Sequence, residues 1–279
     1  MKNFFYAAAI LFSAASLISC QPNGKGTADN SFAKDSTELS AMEGVMDAVQ
    51  TDSVVFEKKN EVSDVKYMME YPNDPSAPLT TAVLTFINKF FGETYEGNVA
   101  NVQHMADFYG NKSFEEFAKQ AKEEKPAGDM KYECSGEVRK SYESDKNVSF
   151  TANLYQFEQG AHGINFSETA TFNKQTGKQF TAEMIKDHKS EAFQELLREG
   201  LRKYWEVKTD TELEEHLIEV KVNSLPLPTT TPYLTKEGMA LTYNQYEIAS
   251  YADGMPTAVI PFNKLKDILT AEGLEFVAE

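Results

Sequence analysis

His162 is the first side chain whose type and surroundings could do chemistry. It lies in Gly160-Ala161-His162-Gly163, where the glycines leave little bulk around the imidazole, so the ring could reach a ligand from a tight turn. Glycines in a hairpin are first a requirement of the turn, and we favour that structural interpretation. The remaining histidines are His104, His188 and His216. Their spacing contains neither H-x-x-x-H nor H-E-x-x-H, so we predict no bound metal and no cofactor.

A tyrosine-rich segment near the end of the chain contains one acidic residue, Glu247, directly after Tyr246. We favour a structural role in which Glu247 is buried and accepts hydrogen bonds from backbone amides at a chain crossing. The functional alternative is a groove of tyrosines with a single acid, able to hold a sugar or a basic side chain. That groove would be lined by Tyr233, Tyr243, Tyr246 and Tyr251.

The sequence lacks the motifs that mark common catalytic nucleophiles. There is no G-x-S-x-G, and no glycine-rich loop with a lysine that could cradle a phosphate. The adjacent carboxylates Glu115-Glu116 and Glu214-Glu215 lie in segments of helical pattern, where a solvated surface explains them. Cys134 alternates with apolar neighbours, which is typical of a buried strand residue and not of a nucleophile. We therefore predict no catalytic residue and no enzyme activity.

Residues 1–19 have the layout of a secretory signal peptide, with Lys2, a short apolar run and small residues before Cys20. The end of this segment resembles a bacterial lipobox, in which the cysteine is acylated and becomes the first mature residue. We therefore predict lipid attachment at Cys20 and a membrane-anchored position in the cell envelope, at the outer membrane or facing the periplasm. Cleavage at a nearby A-x-A-like site is the alternative. Residues 20–51 are rich in small polar residues and predict a flexible tether.

The formal net charge of −16 limits the classes of molecule that the protein is expected to bind. Such a surface repels nucleic acid and anionic lipid headgroups, and it attracts cationic proteins. Only two cysteines occur, so acylation of Cys20 would leave Cys134 without a disulfide partner. The fold must then be stabilised by burial alone.

The elements that must position these residues are a mixture of strands and helices without β-α-β alternation. Period-two patterns predict strands at 54–56, 65–71, 130–134, 148–154, 164–172, 239–243 and 258–260. Helical spacing predicts helices at 79–90, 193–205, 211–220 and 263–269. Ser113 and Glu116 form a capping box that predicts the start of another short helix. The predicted class is α+β, with antiparallel sheets and helices packed on one face.

The C-terminal part resembles a known extracytoplasmic domain. The residues that carry the resemblance are 160–163, Thr176-Gly177-Lys178, and the run 243–254 that leads into Val259-Ile260-Pro261. They look like the C-terminal domain of the anti-sigma factor RsiV, which also accompanies the catalytic module of PdaC-type peptidoglycan deacetylases. The resemblance covers 150–269, and 52–128 more weakly resembles the domain that precedes it. We therefore expect two associated subdomains, at 52–128 and 129–279.

The resemblance implies a binding function. The RsiV domain is similar to a receptor for lysozyme, whereas the deacetylase module has no counterpart in this sequence. We therefore expect a lipid-anchored envelope protein without catalysis that binds lysozyme or another cationic partner. Its candidate surface consists of His162, Tyr243, Tyr246, Glu247 and Tyr251. The alternative is an envelope hydrolase or carbohydrate-binding protein acting on peptidoglycan or another glycan, with Glu247 and a partner acid in acid-base roles.

Overall fold

The computed structural model describes residues 47–277. The predicted signal peptide at 1–19, the lipid site Cys20 and nearly all of the predicted tether at 20–51 lie outside these residues. Within 47–277 no helix is both long enough and apolar enough to cross a membrane.

The chain forms two groups of elements, one after the other. The first comprises β1 (Thr51–Lys59), β2 (Ser63–Pro72), α1 (Pro78–Phe90), α2 (Val102–Glu123), β3 (Tyr132–Glu143), β4 (Asn147–Phe157) and β5 (Ile164–Asn173). The second comprises α3 (Glu191–Tyr204), α4 (Asp210–Glu214), β6 (Tyr233–Thr235), β7 (Gly238–Thr242), β8 (Thr257–Pro261) and α5 (Ala271–Val277). Short 3-10 helices occur at Ala182–Met184, Tyr251–Asp253 and Phe262–Asp267.

The first group is a five-stranded sheet in the order β1-β2-β3-β4-β5, covered by α1 and α2. Neighbouring strands are antiparallel except β2 and β3, which run parallel because α1 and α2 carry the chain back across the sheet between them. The second group is a three-stranded antiparallel sheet, β6-β7-β8, with α3 packed on β8. The α+β class is therefore confirmed, with the larger sheet mixed and not wholly antiparallel.

Helix α1 follows from its apolar spacing. Pro78 occupies the first turn, where its missing amide hydrogen leaves no intrahelical bond unmade. The stripe that packs on the sheet consists of Leu79, Val83, Phe86, Ile87 and Phe90, all buried. This stripe was predicted from the sequence, and the helix has the expected bounds to within one residue.

Helix α2 corrects the expected start at Ser113. The helix begins at Val102, with Asn101 as N-cap, and continues without a break to Glu123. Ser113 is therefore in its middle, where its Oγ lies 2.7 Å from the hydroxyl of Tyr67 on the sheet. The earlier turns pack through Val102, Met105 and Tyr109, and Gly110 gives room for the ring of Phe56. The capping-box pattern was thus present without capping a helix.

Helix α3 is the best-defined element of the second group. The Ser190 side chain accepts a hydrogen bond from the Phe193 amide, as predicted for its N-cap. Gly200 lets the helix approach β8 closely, because a Cβ there would lie 2.7 Å from that of Ala258. By contrast, α4 has only five residues, and in place of the helix predicted at 263–269 the chain forms the 3-10 helix Phe262–Asp267.

The buried hydrophobic residues form two separate cores, one in each group of elements. The first extends along the chain from Phe56 to Phe172, and the second from Phe180 to Phe276. The expected boundary at 128/129 falls inside the first core, because β3 pairs with β2. The division between the cores lies instead between β5 and Phe180.

Candidate functional site

The turn after β7 connects the two cores through side-chain amides. Asn244 Oδ1 accepts a hydrogen bond from the Ser167 amide at 2.7 Å, and its Nδ2 donates to the Ser167 carbonyl at 3.2 Å. Gln245 Oε1 accepts from the Asn165 amide at 2.9 Å. Both amide side chains are buried, and they satisfy backbone groups on the outer edge of β5. This turn is therefore held against β5 by hydrogen bonds, and it positions the side chains that follow Gln245.

Glu247 secures the same turn to a neighbouring loop. Its Oε1 accepts from the Thr229 amide at 2.6 Å, and its Oε2 accepts from the Asn244 amide at 2.8 Å and the Thr229 hydroxyl at 3.1 Å. Burial raises the pKa of Glu247, partly opposed by these hydrogen bonds, and the charge of Glu168 raises it further. The arrangement matches the structural interpretation of Glu247, since both oxygens are engaged by the protein itself.

Of the four tyrosines expected to line a groove, Tyr243 is not available at a surface and Tyr233 is only partly exposed. Tyr243 is fully buried in the second core, and its hydroxyl donates to the Pro226 carbonyl at 2.6 Å. Burial raises its pKa far above the ordinary value of 10.0. Tyr233 lies in β6, where burial likewise raises the pKa of its phenol. Tyr243 must therefore be removed from the candidate surface, because no ligand could reach its ring without unfolding the core.

His162, Tyr246 and Tyr251 do come together, and we call these three residues the aromatic platform. The rings of His162 and Tyr251 stack with centroids 3.8 Å apart and planes inclined by 24°. The ring of Tyr246 lies against that of Tyr251, with the two ring centroids 6.0 Å apart, and the Tyr246 residue is 52% exposed. The platform draws on both groups of elements, since His162 comes from the loop between β4 and β5.

Backbone conformation orients Tyr246, and a hydrogen bond orients the ring of His162. Tyr246 has a φ of 63°, in the left-handed region that non-glycine residues seldom adopt. His162 Nδ1 lies 2.8 Å from the Gly163 carbonyl. Because a carbonyl can only accept, Nδ1 carries the hydrogen and Nε2 is left for solvent or a ligand. Gly163 also leaves room for the ring of Tyr155, which a Cβ would approach to 2.2 Å.

A second polar-aromatic cluster includes Asp253, which belongs to the same 3-10 helix as Tyr251. His216 Nδ1 is 2.8 Å from Asp253 Oδ1, and the His216 ring stacks on Trp205 with centroids 4.9 Å apart. Burial raises the pKa of Asp253, but hydrogen bonds from Ser250 and His216 outweigh this and lower it. Ser250 bonds to Asp253 and not to His216, so the three residues do not form a nucleophile relay.

Sequence reasoning missed this cluster because its members are far apart in the chain. His216 and Asp253 are separated by 37 positions. Neither lies in a recognisable motif, and His216 is isolated in sequence from the other histidines. The sequence signal for this cluster was the apolar helical spacing that ends at Trp205. That spacing predicts that Trp205 packs in a core, but it does not predict that a histidine stacks on its ring.

The other residues considered for chemistry have structural surroundings. Cys134 is buried in β3, with its Sγ 3.2 Å from the Tyr67 hydroxyl, as the alternating pattern predicted. The pairs Glu115-Glu116 and Glu214-Glu215 are exposed on or beside helices. Across residues 47–277, no group of three or more His, Cys, Asp or Glu side chains is placed to hold a metal ion.

Comparison with known proteins identifies a domain in the second half of the chain. Residues 172–263 match the family model DUF3298, described as a protein of unknown function. The match begins at the end of β5 and includes the turn that carries Asn244, Gln245 and Glu247. No curated protein matches the sequence.

Two solved structures share the fold. The crystal structure of a DUF3298 family member from Bacteroides fragilis NCTC 9343 has a TM-score of 0.62 and 21% identity, covering 81% of this chain and 96% of that one. A DUF3298 family protein from Pseudomonas aeruginosa PAO1 gives a TM-score of 0.57 and 16% identity, covering 82% of this chain and 97% of that one. At these identities the likeness concerns the fold alone.

Proposed function

We propose that this chain is a cell-envelope binding protein without catalysis, which binds a cationic protein through the aromatic platform. Lysozyme is the first partner to test, because the sequence resembles the lysozyme-binding domain of RsiV. The proposal includes anchoring to the membrane through a lipid on Cys20. The observation that carries it is the exposed ring of Tyr246, which lies against Tyr251, the ring that stacks on His162.

The platform has the properties of an interface anchor. Tyrosine gives a large contact area with few rotatable bonds, so little conformational entropy is lost on binding. Tyr246 leaves about half of its surface open to a partner. The stacked pair below it gives the ring a preformed support, which lowers the cost of ordering it at an interface.

Charge favours a basic partner. The sequence carries 43 acidic and 27 basic residues. Complementary charge accelerates association and disfavours acidic competitors. Affinity for a basic protein should therefore fall as salt rises, because exposed charges are screened over about 10 Å at 0.1 M salt.

Calorimetric titration of the purified protein with lysozyme tests the proposal. We expect binding at low salt, weaker binding in about 0.5 M salt, and an at least tenfold loss of affinity in Tyr246→Gly, as for interface anchors worth about 2 kcal/mol. Glycine suits this test because it adopts the left-handed backbone of residue 246 without strain. The turn should therefore stay folded while the ring is removed.

Glu93→Gly is the matched control. Glu93 also has a positive φ, 56°, and is exposed, but it lies after α1 and far in sequence from the platform. This variant loses a negative charge, so a purely electrostatic association would weaken in it more than in Tyr246→Gly. Absence of lysozyme binding at low salt, or equal binding by both variants and the native protein, would overturn the proposal.

A glycan is the second candidate ligand, because stacked aromatic rings also suit the apolar face of a sugar. Soluble peptidoglycan fragments in the same titration distinguish the two. Binding of fragments that is lost in Tyr246→Gly and insensitive to salt would favour the glycan over the cationic protein. The hydrolase alternative has less support, since the carboxylate of Glu247 is held by three hydrogen bonds from the turn and its neighbouring loop.

A further inference from the structure

A cleft of about 620 Å³ lies between α1 and β5, and none of the three residues of the aromatic platform lines it. Two ring pairs form its floor: Phe90 and Phe166 stack at 6.0 Å, and Phe86 meets Phe172 edge-on at 6.1 Å. Its volume is within the roughly 300–1,000 Å³ typical of small-molecule sites, which combine apolar walls with a few polar groups.

Two opposite charges line this apolar cleft without pairing with each other. Lys89 projects from α1, and its ammonium has no hydrogen bond or ion pair within residues 47–277. Glu168 projects from β5, and its Oε1 accepts from the amides of Thr169 and Thr231 at 2.9 and 2.8 Å. Its Oε2 has no partner in the same part of the chain. Each wall therefore presents one uncommitted charged group.

We propose that this cleft binds an α-amino acid with an apolar side chain, either free or as a dipeptide. The ligand carboxylate would pair with Lys89, its ammonium with Glu168 Oε2, and its side chain would lie among the four phenylalanines. A fatty acid would satisfy only the lysine, and an apolar amine only the glutamate. A zwitterion with an apolar body is the class that uses both charges and the floor together.

Titration calorimetry on the full-length protein tests this with four probes. L-phenylalanine and leucyl-phenylalanine carry both charges, whereas phenethylamine lacks the carboxylate and 3-phenylpropanoate lacks the amine. We expect the two zwitterions to bind, and the single-charge probes to bind about tenfold more weakly, as for loss of one charged hydrogen bond. No binding of either zwitterion at millimolar concentration would overturn the proposal, and so would tighter binding of 3-phenylpropanoate.

Matched variants test whether L-phenylalanine binds in this cleft. Lys89→Met and Glu168→Gln should each weaken L-phenylalanine about tenfold, since a charged partner is lost while the amide oxygen of the glutamine can still accept from Thr231. Lys119→Met and Glu199→Gln are the controls, because both residues are exposed on other helices. Equal weakening in variants and controls, or none in either, would contradict the assignment.

Thr85→Trp gives a second, independent test. Thr85 is exposed on α1 and lines the cleft, so an indole there fills the space without replacing a core residue. Loss of L-phenylalanine binding with an unchanged melting temperature is the expected result, and retained binding would overturn the proposal. Lysozyme binding by this variant should be native, which separates the cleft from the function proposed for the platform.

Discussion

Tyr246 and Tyr243 show how differently two tyrosines of one short run behave. Tyr243 is sealed in a core, whereas Tyr246 is exposed and held in a left-handed backbone conformation that costs about 1 kcal/mol or more in a non-glycine residue. Strained residues of this kind concentrate at functional sites. From the sequence, both tyrosines were expected to line the same groove. It could not show which ring faces solvent, because that depends on the positive φ of the turn.

Cys134 is expected to be chemically inert in the folded protein. Burial raises the pKa of its thiol to about 12, so thiolate is scarce at neutral pH. Iodoacetamide at about pH 8 should leave Cys134 unmodified in native protein and alkylate it fully in denaturant, as read from its peptide by mass spectrometry. Rapid native labelling would show that β3 opens readily or that the thiol is activated.

The helices and strands were predictable where the pattern is local. α1 and α3 follow from apolar stripes with a proline or serine at the start. α2 was mispredicted because Gly110 and the polar residues after it suggest a break, and tertiary packing against Phe56 overrides that local preference. The parallel pairing of β2 with β3 was also missed, since it joins strands separated by two helices.

Glu143, at the end of β3, connects several segments. Its carboxylate accepts from the Val49 amide at 2.8 Å, lies 2.7 Å from the buried ammonium of Lys174, and lies 3.0 Å from Lys140. Burial alone would raise the pKa of Glu143, but hydrogen bonds from Lys174, Val49 and Lys140 outweigh it and lower the pKa below 4.5.

This shift predicts a specific acid sensitivity. A carboxyl group whose folded-state pKa is depressed contributes its full stability above the unfolded value, here 4.5, and loses it as pH falls through the folded pKa. Glu143→Gln should therefore lower the free energy of unfolding by about 2 kcal/mol at neutral pH. The difference from the native protein should shrink as pH falls below 4.5.

Urea denaturation at several pH values measures this difference. Glu237→Gln is the control, because Glu237 is exposed in the tight turn between β6 and β7. A Glu143→Gln deficit that stays constant down to about pH 3 would mean that the carboxylate of Glu143 is not the titrating group.

At the scale of the whole molecule, two cores are joined by a polar seam. Thr171 Oγ1 accepts from the Leu234 amide, and the Ser149 hydroxyl donates to the Leu234 carbonyl, both at 2.7 Å. Alternation on β5 predicted one apolar face, but not that the small polar residues on the other face bind a second unit. Such contacts join residues that are far apart in the chain, and a single sequence does not show which residues pair.

The side-chain amides of Asn244 and Gln245, which cover the outer edge of β5, are expected to prevent that edge from pairing with other chains. Replacing Asn244 and Gln245 together with alanine exposes backbone groups on the outer edge of β5, and free strand edges pair with other chains. We expect lower stability and a rise in dimers or larger species in light scattering after size exclusion. Gln175→Ala, in the exposed turn after β5, should remain native. An Asn244→Ala/Gln245→Ala variant with native stability and mass would show that the amides do not protect the edge.

The position of β1 has a mechanical consequence. This strand is the outermost of the larger sheet, and the chain enters the fold through it. Tension applied from the N-terminal side would reach the hydrogen bonds of Val49 with Glu143 and Lys140 first, and then the β1–β2 ladder. The hydrogen bonds of an edge strand can then break in succession, beginning with the β1–β2 ladder. Under traction, the five-stranded sheet would yield first, and the turn bearing Tyr246 would keep its shape.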